Sequence, residues 1–212
     1  MCTAIAAAGC SDGVSAPGTN RDLAPSAGPS LNWGTSTSGF HSTTFKLTSA
    51  GGRFLIGDVF KLNVPSNAVC DASSSWSWGC DLLRDGESIL ITATYGYANG
   101  TPVVEFSPDL RFASNKTVTL STSVYSDILT TYARYFEQNE RALRGFAIFF
   151  TSDLGNTETS DAAHDSTLIT HINLRYGIVW RRVKHFSGYS VATGRACDDS
   201  DNCAGPTPVL DQ

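Results

Sequence analysis

Residues 88–106 read SILITATYGYANGTPVVEF, and this stretch decides the fold class. Ile89, Ile91, Ala93 and Tyr95 recur at every second position, which puts them on one face of an extended strand. Asn99-Gly100 follows, a dipeptide suited to a tight hairpin because both central residues of a type I′ turn need positive φ. Pro102 to Phe106 then returns as the second strand.

The same pattern repeats on both sides of this hairpin. Upstream, Thr43 to Thr48 reads as a strand, Gly51-Gly52 as a turn, and Arg53 to Ile56 as the next strand. Val59 to Val64 alternates Phe60, Leu62 and Val64 against Lys61 and Asn63 until Pro65 ends the run. Downstream, strands are expected at Thr117 to Ser123, Gly145 to Thr151, Thr167 to Tyr176, Ile178 to Val183 and His185 to Thr193. Short runs at this spacing predict an all-β, antiparallel β-sandwich of nine to ten strands. Residues 127–144 are different: Leu129, Tyr132, Phe136 and Leu143 lie imperfectly along one helical face, so one short helix is expected there.

Composition agrees. The 212 residues suit one domain with short tails, and 41% hydrophobic content suffices for a core. Charged residues are only 17%, below the usual quarter, which favours strands and turns over charged helices. The formal charge of −5 gathers at the ends, with Asp198, Asp199, Asp201 and Asp211 near the C-terminus, while residues 40–196 balance. Nothing in the sequence provides the basic field that phosphate backbones require, so nucleic acid is not an expected partner. No apolar run is long enough to span a bilayer as a helix.

The first ten residues, MCTAIAAAGC, lead through Ala7, Ala8 and Gly9 to Cys10. They resemble the lipobox of bacterial lipoproteins, although no Lys or Arg precedes the apolar stretch and the stretch is short. The resemblance implies cleavage before Cys10, lipidation of its thiol, and export to a membrane-anchored, extracytoplasmic position in a bacterial cell envelope. Residues 11–39, rich in Ser, Gly and Pro, then form a tether, residues 40–196 the sandwich, and residues 197–212 an acidic tail. With Cys2 and Cys10 set aside, four cysteines remain in two local pairs, Cys70 with Cys80 and Cys197 with Cys203. Neither has CxxC spacing, so two disulfides are expected, the second stapling the tail.

Gly51-Gly52-Arg53-Phe54, Phe60 to Pro65 with Ala68, and Ser107 to Phe112 with Val118-Thr119-Leu120 occur in an order similar to the ZU-five domain of zonula occludens scaffolds, ankyrins and netrin receptors. Lys116 or Thr117 stands where that family often has Pro. His185-Phe186-Ser187-Gly188-Tyr189 resembles the closing strand of bacterial members. The resemblance covers residues 43–194 and implies an antiparallel sandwich that serves as a scaffold or protein-binding module, without a cofactor.

Conventional enzyme signatures are missing: there is no G-x-S-x-G elbow, HExxH or phosphate loop. Asp161, His164 and Asp165 fall in a Ser, Thr and Asp-rich connection expected to be solvated rather than metal-binding, and His171 is expected to be a hydrogen-bonded sheet histidine. Trp76 and Trp78, between Cys70 and Cys80, are candidate ligand contacts, since flat indoles could stack on a glycan; packing beside the disulfide is the simpler expectation. In related autoproteolytic modules the chain breaks between the Phe and Ser of a His-Phe-Ser tripeptide. His185, Phe186 and Ser187 are therefore candidates for self-cleavage, with Ser187 attacking the Phe186 carbonyl and His185 moving the proton. The favoured alternative places Phe186 in the core as an ordinary strand residue. The functional expectation is thus an exported, lipid-anchored sandwich that binds a protein or cell-wall glycan. Self-cleavage stands second and a carbohydrate-binding module third.

Overall fold

A computed structural model describes residues 39–74, 80–98, 100–143, 146–151, 158–159, 162, 164–191 and 207–211. These residues form an all-β sandwich, with two six-stranded sheets among the described residues. The hairpin at its centre forms as expected: β4 (Ser88–Ala98) pairs antiparallel with β5 (Thr101–Ser107), Tyr95 opposite Val104 and Ala93 opposite Phe106. Gly100 has φ +78°, the left-handed conformation such a turn requires; Asn99 lies outside the described residues.

The first sheet runs β1-β4-β5-β11-β7-β8, where β1 is His41–Thr48, β7 is Ile148–Thr151, β8 is Glu158–Thr159 and β11 is Gly188–Val191. The second runs β12-β9-β10-β6-β3-β2, where β2 is Gly52–Ile56, β3 is Phe60–Val64, β6 is Val118–Thr122, β9 is His171–Asn173, β10 is Ile178–Val183 and β12 is Val209–Leu210. Alternation sets which side of each strand is dry. In β3, Phe60, Leu62 and Val64 are buried while Lys61 is exposed, and in β10 Val179 and Val183 are buried. Leu47, Ile91, Ala93, Val104 and Phe106 are among the buried side chains of the first sheet. The buried Arg181 of β10 donates from Nη1 to the Ile148 carbonyl of β7 at 2.7 Å, tying one sheet to the other.

Four expectations need correction. Residues 127–144 do not form one helix; they form α1 (Ser126–Thr131), α2 (Ala133–Gln138) and α3 (Glu140–Leu143). Leu129, Phe136 and Leu143, seven residues apart, are buried, whereas Tyr132 sits at the junction of α1 and α2 with φ −106° and ψ 24° and is exposed. Thr167 to Tyr176 is not a continuous strand: Ser166–Leu168 is a 3-10 turn and only His171–Asn173 pairs, because the Asp165 carboxylate accepts from the Thr167 N–H and starts a turn. The last of the expected strands begins at Gly188 rather than His185, because residues 184–187 pass between the sheets. Nor is the sandwich wholly antiparallel: β12 runs parallel to β9, with Val209 opposite His171 and Leu210 opposite Ile172. Twelve strands occur among the described residues. The extra ones are the two-residue β8 and β12, too short to show periodicity, and β12 lies within the expected acidic tail.

Candidate functional site

β10 ends at Val183 in the second sheet and β11 begins at Gly188 in the first, so residues 184–187 carry the chain from one sheet to the other. The crossing is fixed by backbone pairing to residues 106–112. Phe112 N–H donates to the Lys184 carbonyl at 2.8 Å, Phe186 N–H to the Leu110 carbonyl at 2.7 Å, and Phe106 N–H to the Ser187 carbonyl at 3.1 Å. His185 bridges Arg111. The change of partners along these four residues interrupts the ladder, which is why no strand spans 184–187.

Phe186 is fully buried. Its ring stacks on Phe106 with centroids 4.6 Å apart and meets the edge of Phe112 at 4.9 Å. Gly188 follows where only a glycine fits: a Cβ there would lie 2.4 Å from the Thr151 carbonyl oxygen. Tyr189, also buried, turns back so that its hydroxyl donates to the His185 carbonyl at 2.8 Å. The edge-on Phe150–His185 ring pair, centroids 5.5 Å apart, completes the enclosure.

Within this frame His185 and Ser187 are half-buried, and His185 Nδ1 lies 3.0 Å from Ser187 Oγ. An imidazole nitrogen at that distance can accept a hydroxyl proton. The expectation that Phe186 enters the core holds, and His185 and Ser187 are brought together beside it. Asn67, at φ 54°, is the one non-glycine residue with positive φ among those described, so neither Phe186 nor Ser187 occupies the left-handed region.

The second candidate region is the base of the loop closed by the Cys70–Cys80 disulfide, whose Cα atoms are 5.2 Å apart. Cys70 is buried and bridges Leu82, and Val69 beside it bridges Phe112. The loop base is further tied by Asp71 N–H to the Asp81 carbonyl at 2.6 Å, and by Ser74 Oγ, which accepts from Asp81 N–H at 3.0 Å. The Asp71 carboxylate accepts from both the hydroxyl and the N–H of Ser73, which hold its pKa below the ordinary value. Trp76 and Trp78 lie outside the described residues, as do Cys10, Cys197 and Cys203.

Asp165 pairs with Lys184 and accepts from the Thr167 hydroxyl at 2.7 Å. The Lys184 ammonium, then Thr167, lowers its pKa to about 2. Asp161 is outside the described residues, and among those described no group of three or more His, Cys, Asp or Glu side chains could hold a metal ion. His171 is hydrogen-bonded, as expected, but to a partner far along the chain: Nδ1 lies 3.0 Å from Asp211 Oδ1, and the same carboxylate accepts from Trp180 Nε1 at 2.6 Å. Forty residues separate His171 from Asp211, so no local pattern announces the pair.

Among the described residues no helix is long and apolar enough to cross a membrane. No family model, characterised protein or solved structure matches the chain.

Proposed function

We propose that this chain is an exported, lipid-anchored β-sandwich that binds a macromolecule, a protein or cell-wall glycan, through the Cys70–Cys80 loop. The observation that carries the reading is the construction of that loop's base. A disulfide, a bridge from Cys70 to Leu82 across the base, a bridge from Val69 to the buried Phe112 and a set of side-chain bonds hold its two ends, so ordering the base adds little to the cost of engaging a ligand. The disulfide also fits an oxidising compartment, and Cys10 with the segment behind it supports a lipid tether in the bacterial envelope. The test is the double variant Trp76→Ala, Trp78→Ala, assayed for thermal stability and for binding to purified envelopes and cell-wall glycan of the host. Retained stability with lost binding is the expected result. A collapse in stability would make the indoles structural, and unchanged binding would remove the loop from recognition. Anchoring is read separately, by globomycin treatment and intact mass of the full-length chain and of its Cys10→Ser variant.

A second reading is favoured by the 3.0 Å contact of His185 Nδ1 with Ser187 Oγ. In it the Ser187 hydroxyl oxygen attacks the Phe186 carbonyl carbon while its proton passes to His185. The Phe186–Ser187 C–N bond breaks, the amine takes the proton, and the resulting ester is hydrolysed by water. Denaturing mass spectrometry decides it. A fragment beginning at Ser187, abolished by Ser187→Ala and slowed by His185→Ala, supports cleavage; a single full-length mass after prolonged incubation excludes it.

A further inference from the structure

The outer face of the second sheet carries a row of side chains in direct cross-strand register: Leu55, Lys61, Ser121, Trp180, His171 and Val209, one from each of its six strands. Trp180 and His171 stack with ring centroids 4.1 Å apart and planes inclined by 15°. Asp211, arriving from β12, fixes both rings, accepting from Trp180 Nε1 while meeting His171 Nδ1. One face of the indole is therefore covered by imidazole. The other looks toward Ser121, a small residue whose hydroxyl is turned down to the Lys61 carbonyl.

Packing alone is a poor account of this arrangement. An aromatic pair on a solvent-facing sheet surface, its orientation set by a carboxylate from a separate strand, presents a flat apolar plane held in one rotamer. Basic residues lie along the same face of the sheet. Arg53 and Lys61 are exposed, and Arg182, whose Nη2 binds the Ser114 and Lys116 carbonyls at 2.6 and 2.8 Å, adds a third cation in the adjoining row Arg53-Asn63-Thr119-Arg182. Among the described register positions of these two rows none is acidic, so Lys61, Arg53 and Arg182 outnumber the one nearby carboxylate, that of Asp211, which holds the ring pair. In a chain of net charge −5 this is a local reversal of sign.

We infer that this face binds an anionic glycan, a chain of uronic-acid type, with a pyranose ring laid on the face of Trp180 away from His171, its carboxylates met by Lys61 and Arg53, and Arg182 adding to the positive field. The C–H-bearing face of a pyranose matches an indole plane, charge complementarity selects the acidic sugar, and Asn63, Thr119 and Ser121 offer hydrogen-bonding groups between the cations. The site is on another surface element from the Cys70–Cys80 loop and does not depend on it.

The test is titration calorimetry of the full chain with an oligogalacturonate, with its fully methyl-esterified counterpart, and with a single-stranded oligonucleotide of equal charge. The expected result is binding of the oligogalacturonate that weakens with salt, with about tenfold weaker affinity for Lys61→Glu and for Trp180→Ala. Because Trp180→Ala also releases Asp211, Trp180→Phe is included; it keeps a stacking ring without the N–H bond and should retain most of the affinity. No binding by the wild type, or unchanged binding by Lys61→Glu and Trp180→Ala, would overturn the proposal. Equal binding of the esterified sugar would overturn its anionic specificity, and equal binding of the oligonucleotide would reduce the face to a nonspecific cationic surface. Trp76→Ala with Trp78→Ala should leave this binding unaltered, which separates its failure from that of the loop reading.

Discussion

Replacing Phe186 by alanine tests whether the crossing between sheets is held by its side chain. The ring is fully buried, stacked on Phe106 and edge-on to Phe112. Truncating a buried phenylalanine costs about 3–5 kcal/mol in lost transfer energy and residual cavity. Two aromatic partners held by backbone pairing limit collapse of that cavity, which places the expected loss at about 4 kcal/mol. A domain of this size loses roughly 2–4 °C of melting temperature per kcal/mol, so the midpoint should fall by about 8–16 °C. Urea unfolding followed by circular dichroism, with the slope unchanged, gives the free energy directly. The control is Ser187→Ala, which removes only the half-buried contact to His185 Nδ1 and should cost about 1 kcal/mol. A loss below about 1.5 kcal/mol for Phe186→Ala, or a larger loss for Ser187→Ala, would refute the view that Phe186 is the plug and the His185–Ser187 pair a passenger on it.

Gly188→Ala should destabilise by about 1–3 kcal/mol, since the new methyl meets the Thr151 carbonyl rather than a movable side chain; a neutral effect in the same urea assay would mean that β7 and β11 can separate at no cost. Converting Cys70 and Cys80 together to alanine should cost about 2.7 kcal/mol on the loop-entropy model for a separation of ten residues, and equal stability of the variant and the oxidised parent would contradict it. Asp165, held at about 2 by Lys184 and Thr167, contributes stability that is present above the ordinary carboxylate pKa and lost as pH falls through about 2. Lys184→Met should return the carboxyl part of the way toward 3.8 in a carbon-detected NMR titration, at a cost in stability below about 1 kcal/mol because the pair is partly exposed.

The hairpin of β4 and β5 was legible because each strand shows its period over several residues and the turn dipeptide has few other uses. β3 and β10 were legible for the same reason, and the Cys70–Cys80 pairing followed from proximity in sequence. What escaped was decided by distant partners. The end of β10 and start of β11 look like successive strands from Ile178 onward, since Val183, Phe186 and Tyr189 are all buried, but they are buried in different ways. Only pairing with residues 106–112 separates sheet from crossing. The seven-residue spacing of Leu129, Phe136 and Leu143 was visible, yet the breaks that divide the helix depend on local dihedrals at Tyr132 and Asn139, which carry no glycine or proline signal. The Asp211–His171–Trp180 cluster joins β12, β9 and β10, and nothing local to any one of them points to the other two.

The crossing also determines how its own chemistry could be seen. A break between Phe186 and Ser187 would leave residues 178–183 paired in the second sheet and Phe186 still packed between Phe106 and Phe112. On the other side of the break, β11 is paired to both β5 and β7, and β12 is paired to β9 with Asp211 held by two side chains. The shorter piece is thus anchored in both sheets independently of the bond that would be lost. A nicked molecule would keep its core, its disulfide and both proposed binding faces, so neither size nor ligand affinity in native buffer would register the cut. Only a measurement that first dissolves the ladders can distinguish an inert strand crossing from one that has already reacted.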